Sequence, residues 1–188
     1  FDVAAMMEGV ISLGVGEPDF QTPWVVRKEA VDILERKRII YSANSGMMNL
    51  RKEIANYLNR KYDLTYDSNS EVIATVGGSE AIDLAIRAIV NPGDEVLVVE
   101  PSFVCYKPIV ELMHGVAVPI PTKEENKFKL TPEELQAHIT EKTKMLILPY
   151  PNNPTGGIMT REDLEKIAAV LRGTNILVLS DEIYSELT

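Results

Sequence analysis

The sequence predicts an α/β fold in which helices cover both faces of a mostly parallel β-sheet. From about position 70 onwards, short apolar runs alternate with amphipathic segments, and the connections between them are short. This alternation is typical of strand–helix units whose parallel strands are buried on both sides. The 188 residues, 45% hydrophobic and 25% charged, match the size and composition of a globular domain with a core.

The first forty residues predict an N-terminal segment that precedes the sheet. Gly14, Gly16 and Pro18 interrupt any regular element near its start, because glycine and proline disfavour helix and strand interiors. Thr22 and Pro23 then predict a helix start, since proline is favoured at the first helical position. The helical spacing of the apolar residues that follow predicts a helix ending near position 38.

A second helix is predicted over residues 49–61, and the alternating pattern follows it. Five strands are predicted, over residues 72–76, 96–99, 116–120, 145–148 and 176–179. Four more helices are predicted, over residues 79–90, 106–114, 131–140 and 160–172. Thr131 and Thr160 each precede an acidic residue by three positions, which is the capping-box pattern of a helix start.

Charge, hydropathy and cysteine usage argue against several classes of protein. The 28 acidic and 19 basic residues give a net charge of -9, so a broad basic face for nucleic acid or an anionic membrane is not expected. No apolar run approaches the roughly 20 residues of a transmembrane helix. Cys105 is the single cysteine, which excludes an intrachain disulfide and fits a cytoplasmic protein. Cys105 and two histidines are the only soft metal ligands in the sequence, so no metal cluster is expected.

The residues that follow four of the predicted strands could together bind a ligand. In an open parallel sheet, ligands bind beyond the carboxyl ends of the strands, so we expect these residues at one edge. They are Gly77, Gly78, Ser79 and Glu80 after the first strand, Phe103 after the second, Asn153 after the fourth, and Asp181 and Tyr184 after the fifth. Taken singly, each has a simple structural interpretation as a turn, a cap or a core aromatic.

Taken together, these residues describe a particular ligand. Free amides at a glycine-opened helix start suit a phosphate, and Phe103 suits stacking on a flat ring. A strand-end carboxylate such as Asp181 can keep a ring nitrogen protonated. Asn153 and Tyr184 can hydrogen-bond to a ring oxygen. A phosphorylated, hydroxylated pyridine has all these features, and pyridoxal phosphate is such a molecule.

Other nucleotide and hydrolase motifs match less well. Residues 14–19 lack the third glycine of the dinucleotide fingerprint, and the lysine motif of triphosphate-binding loops is absent. Residues 77–81 depart from the nucleophile-elbow pattern at its last position. The remaining rival is a dinucleotide fold with Glu100 as the ribose-binding acid. That rival leaves Asn153 and Asp181 without a role.

Five segments in this order make the chain resemble class I/II aminotransferases of the fold-type I pyridoxal-phosphate superfamily. They are residues 11–20, the set Tyr41, Gly46, Leu50 and Arg51, and residues 77–81, 151–156 and 180–184. The resemblance covers nearly the whole chain but only about the first half of the family's chain. It implies a three-layer α/β/α fold, with residues 41–188 as the first half of the cofactor-binding large domain. Residues 1–40 would belong to the arm or small domain.

The resemblance implies which residues hold the cofactor. Gly78, Ser79 and Glu80 would bind the phosphate through backbone amides and the Ser79 hydroxyl. Phe103 would stack on the pyridine ring. Asp181 would pair with the ring nitrogen and is expected to be catalytic.

Further implied roles concern the substrate and a second subunit. Tyr184, also expected to be catalytic, would bind the ring hydroxyl together with Asn153. Gly16 and Asn153 would lie beside the substrate, an amino acid or a 2-oxo acid. Tyr41 would reach the phosphate bound by the partner subunit, which implies a homodimer.

The family's Schiff-base lysine follows the segment that contains Asp181 and Tyr184, in a serine-rich stretch before an arginine. No lysine of this chain has that context, and the nearest candidate is Lys107, in the predicted helix that follows Phe103. We therefore expect the chain to be a fragment that is inactive without the rest of its parent protein. A carbon–sulfur lyase or a cyclopropane-forming synthase would use the same pocket, and so would the cofactor-binding sensor domain of a transcription regulator. Aromatic, acidic, alanine-type and diaminopimelate-type donors remain open.

Overall fold

The computed structural model describes residues 6–11, 20–36 and 40–188. The chain divides into two units, residues 1–44 and residues 45–188. In the first unit, helix α1 spans Trp24–Arg36. It begins one residue after Pro23, the predicted first helical position, and the Pro23 carbonyl accepts the first hydrogen bonds of its initial turn, from Val26 and Arg27.

The second unit contains a four-stranded, fully parallel sheet. Its strands are β1 (Glu95–Glu100), β2 (Val116–Pro121), β3 (Thr143–Leu148) and β4 (Leu177–Ser180). The spatial order is β2-β1-β3-β4, so β1 and β3 are the central strands. The central strands are also the most buried, as expected for parallel strands covered on both faces.

Helices cover both faces of this sheet, which confirms the predicted α/β fold with three layers. After helix α2 (Met48–Tyr62), the helices are α3 (Gly78–Ile89), α4 (Tyr106–Leu112), α5 (Pro132–His138) and α6 (Arg161–Leu171). Alternate residues of β1 and β3 point to opposite faces. On one face they pack with α3 and α4 around Ile86 and Val110. On the other they pack with α5 and α6 around Leu135 and Ile167.

Both predicted capping boxes are present. At the start of α5, Thr131 Oγ1 accepts from the Glu134 N–H while the Glu134 carboxylate accepts from the Thr131 N–H. Thr160 and Asp163 repeat the arrangement at α6. Lys129 Nζ lies 2.6 Å from Asp163 Oδ2, and this hydrogen bond is the largest cause that lowers the pKa of Asp163 to about 2. The cap therefore stays ionised at neutral pH.

The predicted strand over residues 72–76 is wrong. These residues are irregular and pair with none of the described strands. Val72 is buried, but Ile73 and Val76 are exposed, and the Ala74 N–H donates to the Ser45 carbonyl at 3.1 Å. An apolar run becomes a strand only when a neighbouring strand satisfies its backbone groups. No such neighbour lies beside this run in the described part of the chain.

Gly46 holds the start of the second unit against this irregular segment. Its φ is +92°, and a Cβ built on it would lie 2.6 Å from the Ala74 Cβ. We expect Gly46→Ala to lower the free energy of unfolding by about 2–4 kcal/mol, from backbone strain plus overpacking. Chemical denaturation of the two proteins measures this difference.

Gly93 provides the matched control for this substitution. It also has a positive φ, +88°, but a Cβ there would meet nothing within 4 Å. Gly93→Ala should therefore lose only about 1–2 kcal/mol, the strain alone. Equal losses in the two variants would show that the approach of Gly46 to Ala74 does not matter.

Candidate functional site

A cavity of about 170 Å³ opens at the carboxyl edge of the sheet, beside the starts of α3 and α4. Its walls come from the segments that follow β1, β3 and β4 and from the first turn of α3. The lining residues are Gly78, Ser79, Ile82, Phe103, Tyr106, Pro149, Pro151, Asn153, Asp181, Ile183 and Tyr184. The cavity is large enough for a small molecule rather than a single water.

The structure thus brings together most of the residues that the sequence singles out. Six of them line this one cavity although they are up to 106 positions apart in sequence. They are Gly78, Ser79, Phe103, Asn153, Asp181 and Tyr184. Phe103, Asn153, Asp181 and Tyr184 meet because parallel strands present their carboxyl ends at the same edge. Gly78 and Ser79 reach the cavity from the first turn of α3.

Asp181 is held at the end of β4 by backbone and side-chain hydrogen bonds. Its N–H donates to the Leu148 carbonyl at 3.1 Å, which fixes it beside β3. Its Oδ1 accepts from the Ile183 N–H at 3.2 Å, and its Oδ2 accepts from the Tyr106 hydroxyl at 2.8 Å. Each carboxylate oxygen keeps acceptor capacity, since a carboxylate has about four lone-pair sites. The group can therefore bind a cation that enters the cavity.

Two aromatic rings form one wall of the cavity. Phe103 is half-buried, and its ring meets that of Tyr106 edge to face, with centroids 5.9 Å apart and planes at 79°. Tyr106 is 2% exposed and belongs to the core between the sheet, α3 and α4. Because Tyr106 is anchored in that core, it supports the Phe103 ring, which can offer a flat apolar surface to a ligand.

The first turn of α3 supplies hydrogen-bond donors. Its N-cap is Gly77, with φ +89° and no side-chain cap, so the first N–H groups of the helix have no intrahelical partner. A Cβ on Gly77 or Gly78 would meet nothing within 4 Å, so the approach to this turn is open. Ser79, whose hydroxyl is a further possible donor, lines the cavity. Such a helix start favours an anion.

Glu80 plays a different part from its neighbours in this turn. Its carboxylate accepts from the Val76 N–H and thereby caps the chain entering the helix. Glu80 is not among the residues that line the cavity. Only its backbone N–H remains for an anion bound at the helix start.

The loop after β3 presents an amide to the cavity. Asn152 is 5% exposed, and its Oδ1 accepts from both the N–H and the hydroxyl of Thr155, which stiffens the loop. Asn153 is exposed, and its Nδ2 lies 3.5 Å from the Tyr184 hydroxyl oxygen. These two polar groups are near enough to share one acceptor atom of a ligand.

Besides Glu80, two more of the predicted site residues are not among the described residues that line this cavity. Tyr41 belongs to the first unit, and its side chain is fully exposed. Gly16 lies outside the described residues. Their predicted roles stay predictions.

Tyr106 is a polar cavity residue that the sequence analysis did not predict as part of the site. It lies three positions after Phe103, so helical spacing suggests only a core aromatic. A pattern within one segment cannot show that its hydroxyl reaches Asp181, 75 positions away. The sole signal in the sequence is its position just beyond the end of a buried strand.

Several other kinds of site are not found in residues 6–11, 20–36 and 40–188. None of the residues lining the cavity is a lysine. No group of three or more His, Cys, Asp or Glu side chains could hold a metal ion in the described part of the chain. Among its helices, none is both long enough and apolar enough to cross a bilayer.

Comparison with known proteins shows the family of the chain. The model of the family "Aminotransferase class I and II" matches residues 8–188, and the chain belongs to this family. It is 50% identical over its whole length to the putative aminotransferase YugH of Bacillus subtilis, and it covers 49% of that protein.

Two further similar proteins have names that state a substrate. The chain is 44% identical to a probable N-acetyl-LL-diaminopimelate aminotransferase of Bacillus subtilis, with all of this chain and 47% of the relative covered. It matches the crystal structure of an aromatic aminotransferase from Pyrococcus horikoshii OT3 with a TM-score of 0.88 at 38% identity, covering 93% of this chain and 46% of that one. The chain spans about half the length of the curated relatives it matches.

Proposed function

We propose that the protein carrying this chain is a pyridoxal-phosphate-dependent aminotransferase that moves an amino group between an L-amino acid and a 2-oxo acid. The observation that carries the proposal is the meeting of three features in one cavity: an open helix start, an aromatic wall and a fixed carboxylate. They match in turn a phosphate, a flat ring and a protonated ring nitrogen. Membership of the aminotransferase family supports the same conclusion.

The residues of the cavity fit this cofactor, and each would take one part of it. The N–H groups of Gly78, Ser79 and Glu80 would hold the phosphate, with the Ser79 hydroxyl as a further donor. The Phe103 ring would cover one face of the pyridine. Asp181 would accept the hydrogen bond of the ring nitrogen.

Asn153 and Tyr184 would fix the orientation of the ring. Their side chains lie close to each other, and both could hydrogen-bond to the ring hydroxyl. With the phosphate held at the opposite end of the molecule, these contacts would prevent the ring from turning within the cavity. A fixed ring is required because the substrate must meet it from one direction.

Pyridoxal phosphate, when bound, supplies a ring that accepts the electron pair left behind as the substrate loses its α proton. Asp181 would hold a proton at the ring nitrogen and so keep the ring positively charged during that step. Phe103 and Ile82 would exclude water from the inner face of the cavity.

The remaining elements of the proposal concern the complete protein. We expect a cytoplasmic homodimer in which Tyr41 reaches the cofactor phosphate of the partner subunit. Gly16 would lie beside the substrate carboxylate, together with Asn153. The names of similar proteins include diaminopimelate-type and aromatic donors, so the proposal extends only to the class of amino acid and 2-oxo acid substrates.

The test is a titration of the purified complete protein with pyridoxal phosphate, followed by a panel of amino acids. We expect the protein to bind the cofactor, seen as a change in the cofactor's absorption, and to release the 2-oxo acid from at least one donor. Ser79→Ala should raise the cofactor dissociation constant roughly 10-fold, since hydrogen bonds to charged groups are the stronger ones.

Ser70→Ala is the matched control, because Ser70 donates to Asp67 and does not line the cavity. Its affinity for the cofactor should equal that of the unaltered protein. Release of a thiol in place of the 2-oxo acid would show a lyase instead. Absence of cofactor binding would contradict the proposal as a whole.

A further inference from the structure

We propose that Tyr106 is a positioning residue that fixes the Asp181 carboxylate for a cationic ring nitrogen. This inference rests on the proposed function and deepens it. Its basis is the hydrogen bond from the Tyr106 hydroxyl to Asp181 Oδ2 at 2.8 Å.

The position of the Tyr106 hydroxyl is set by the core. The side chain is 2% exposed and belongs to the same packed cluster as Ile82 and Ile147. Its ring also meets Phe103 edge to face. A buried ring in a close-packed interior has little freedom to turn, so its oxygen offers Asp181 a donor at a nearly fixed point.

The hydrogen bond completes a set of three restraints on Asp181. The backbone N–H binds the Leu148 carbonyl, Oδ1 accepts from the Ile183 N–H, and Oδ2 accepts from Tyr106. Without the phenol, Oδ2 would lose its only described side-chain donor, and the carboxylate could rotate about its last bond. Its orientation toward a ligand in the cavity therefore depends on Tyr106.

The same donor affects where a shared proton resides. Hydrogen bonding to a carboxylate favours the charged form over the neutral acid. A proton shared between Asp181 and a ring nitrogen is therefore held more firmly on the nitrogen when Tyr106 donates. Tyr106 acts on the ligand through Asp181.

The phenol of Tyr106 remains a donor at working pH. Burial raises the pKa of Tyr106 far above its usual range, and its hydrogen bond to Asp181 and the charge of that residue act in the same direction. The neutral hydroxyl is thus retained, and no phenolate forms beside the carboxylate.

The test uses the complete protein loaded with pyridoxal phosphate that carries ¹⁵N in its ring, and it records the ¹⁵N resonance and the cofactor dissociation constant. In Tyr106→Phe, we expect the resonance to move toward that of a neutral pyridine and the dissociation constant to rise roughly 10-fold. Replacing Tyr106 with 3-fluorotyrosine keeps the shape but strengthens the donor. That protein should move the resonance in the opposite direction.

Tyr150→Phe is the matched control for loss of a buried phenol. Tyr150 is 8% exposed, and its hydroxyl accepts from the Leu130 N–H and donates to the Phe128 carbonyl, in the core on the other face of the sheet. The ring-nitrogen resonance of the cofactor bound to Tyr150→Phe should equal that of the cofactor bound to the unaltered protein. If Tyr150→Phe moves the resonance as far as Tyr106→Phe does, the effect is one of general destabilisation and the proposal is wrong.

The outcomes separate this inference from the proposed function. If Asp181→Asn changes the resonance but neither replacement of Tyr106 does, the inference fails and the proposed function stands. If the unaltered protein binds no pyridoxal phosphate, both fail. If Tyr106→Phe does not fold, the 3-fluorotyrosine protein decides, because an unchanged resonance there overturns the inference.

Discussion

Replacing Asp181 with alanine should slow the conversion of an amino donor roughly 10²- to 10³-fold, the loss typical when one transition-state-stabilising group is removed. Asp181 is the carboxylate fixed at the cavity, through the Ile183 N–H and the Tyr106 hydroxyl. Without it, the ring nitrogen has no acidic partner there to keep it protonated. A neutral ring accepts electrons poorly. Single-turnover rates with the complete protein measure the effect.

Two further variants make this prediction specific to charge at one position. Asp181→Asn keeps the size of the side chain but removes its charge, so it should be nearly as slow as the alanine variant. Glu182→Gln removes the next acidic group, which accepts from the Ser180 hydroxyl and does not line the cavity. It should leave the rate within about 2-fold, as surface substitutions usually do. A near-normal rate in Asp181→Ala would remove this residue from its proposed role.

The parallel sheet could be predicted because its signals are local and repeated. Apolar runs without polar alternation mark strands covered on both faces, and the four central residues of β1 and the last four of β3 are both apolar and buried. The starts of α5 and α6 could be predicted because Thr131 and Thr160 cap their own helices within four residues. Each of these features is decided by residues that are close in sequence.

The run over residues 72–76 shows where local signals fail. Its residues are as apolar as those of a buried strand, yet it pairs with no described strand, and Ile73 and Val76 stay exposed. Strand formation depends on a partner elsewhere in the chain, and composition cannot reveal whether one is in place.

The candidate site was predictable as a set of positions but not as a set of contacts. Parallel topology alone places the segments after β1, β3 and β4 at one edge, so Phe103, Asn153 and Asp181 meet as expected. The partner of Asp181 could not be predicted, because Tyr106 has the spacing of a core residue. Its hydroxyl becomes part of the site only through the packing of α4 against the sheet.

Reduction with borohydride in the presence of pyridoxal phosphate should attach the cofactor to no lysine within residues 1–188. None of the residues that line the cavity is a lysine, although the cavity holds the groups that would bind the phosphate and the ring nitrogen. Lys107, on α4 next to Tyr106, is exposed and does not line the cavity. A lysine can be trapped only where its amine reaches the reactive carbon of the bound cofactor.

The experiment uses the complete protein, with digestion and mass measurement of its peptides after reduction. Every peptide from residues 1–188 should keep its unmodified mass, while the cofactor absorption of the protein confirms that the site was filled. Lys107→Ala should not change the amount of cofactor trapped, because Lys107 is exposed and does not line the cavity. Stoichiometric modification of Lys107, lost in Lys107→Ala, would show that α4 supplies the covalent anchor. The cavity would then be a self-sufficient cofactor site rather than one that needs a lysine from elsewhere.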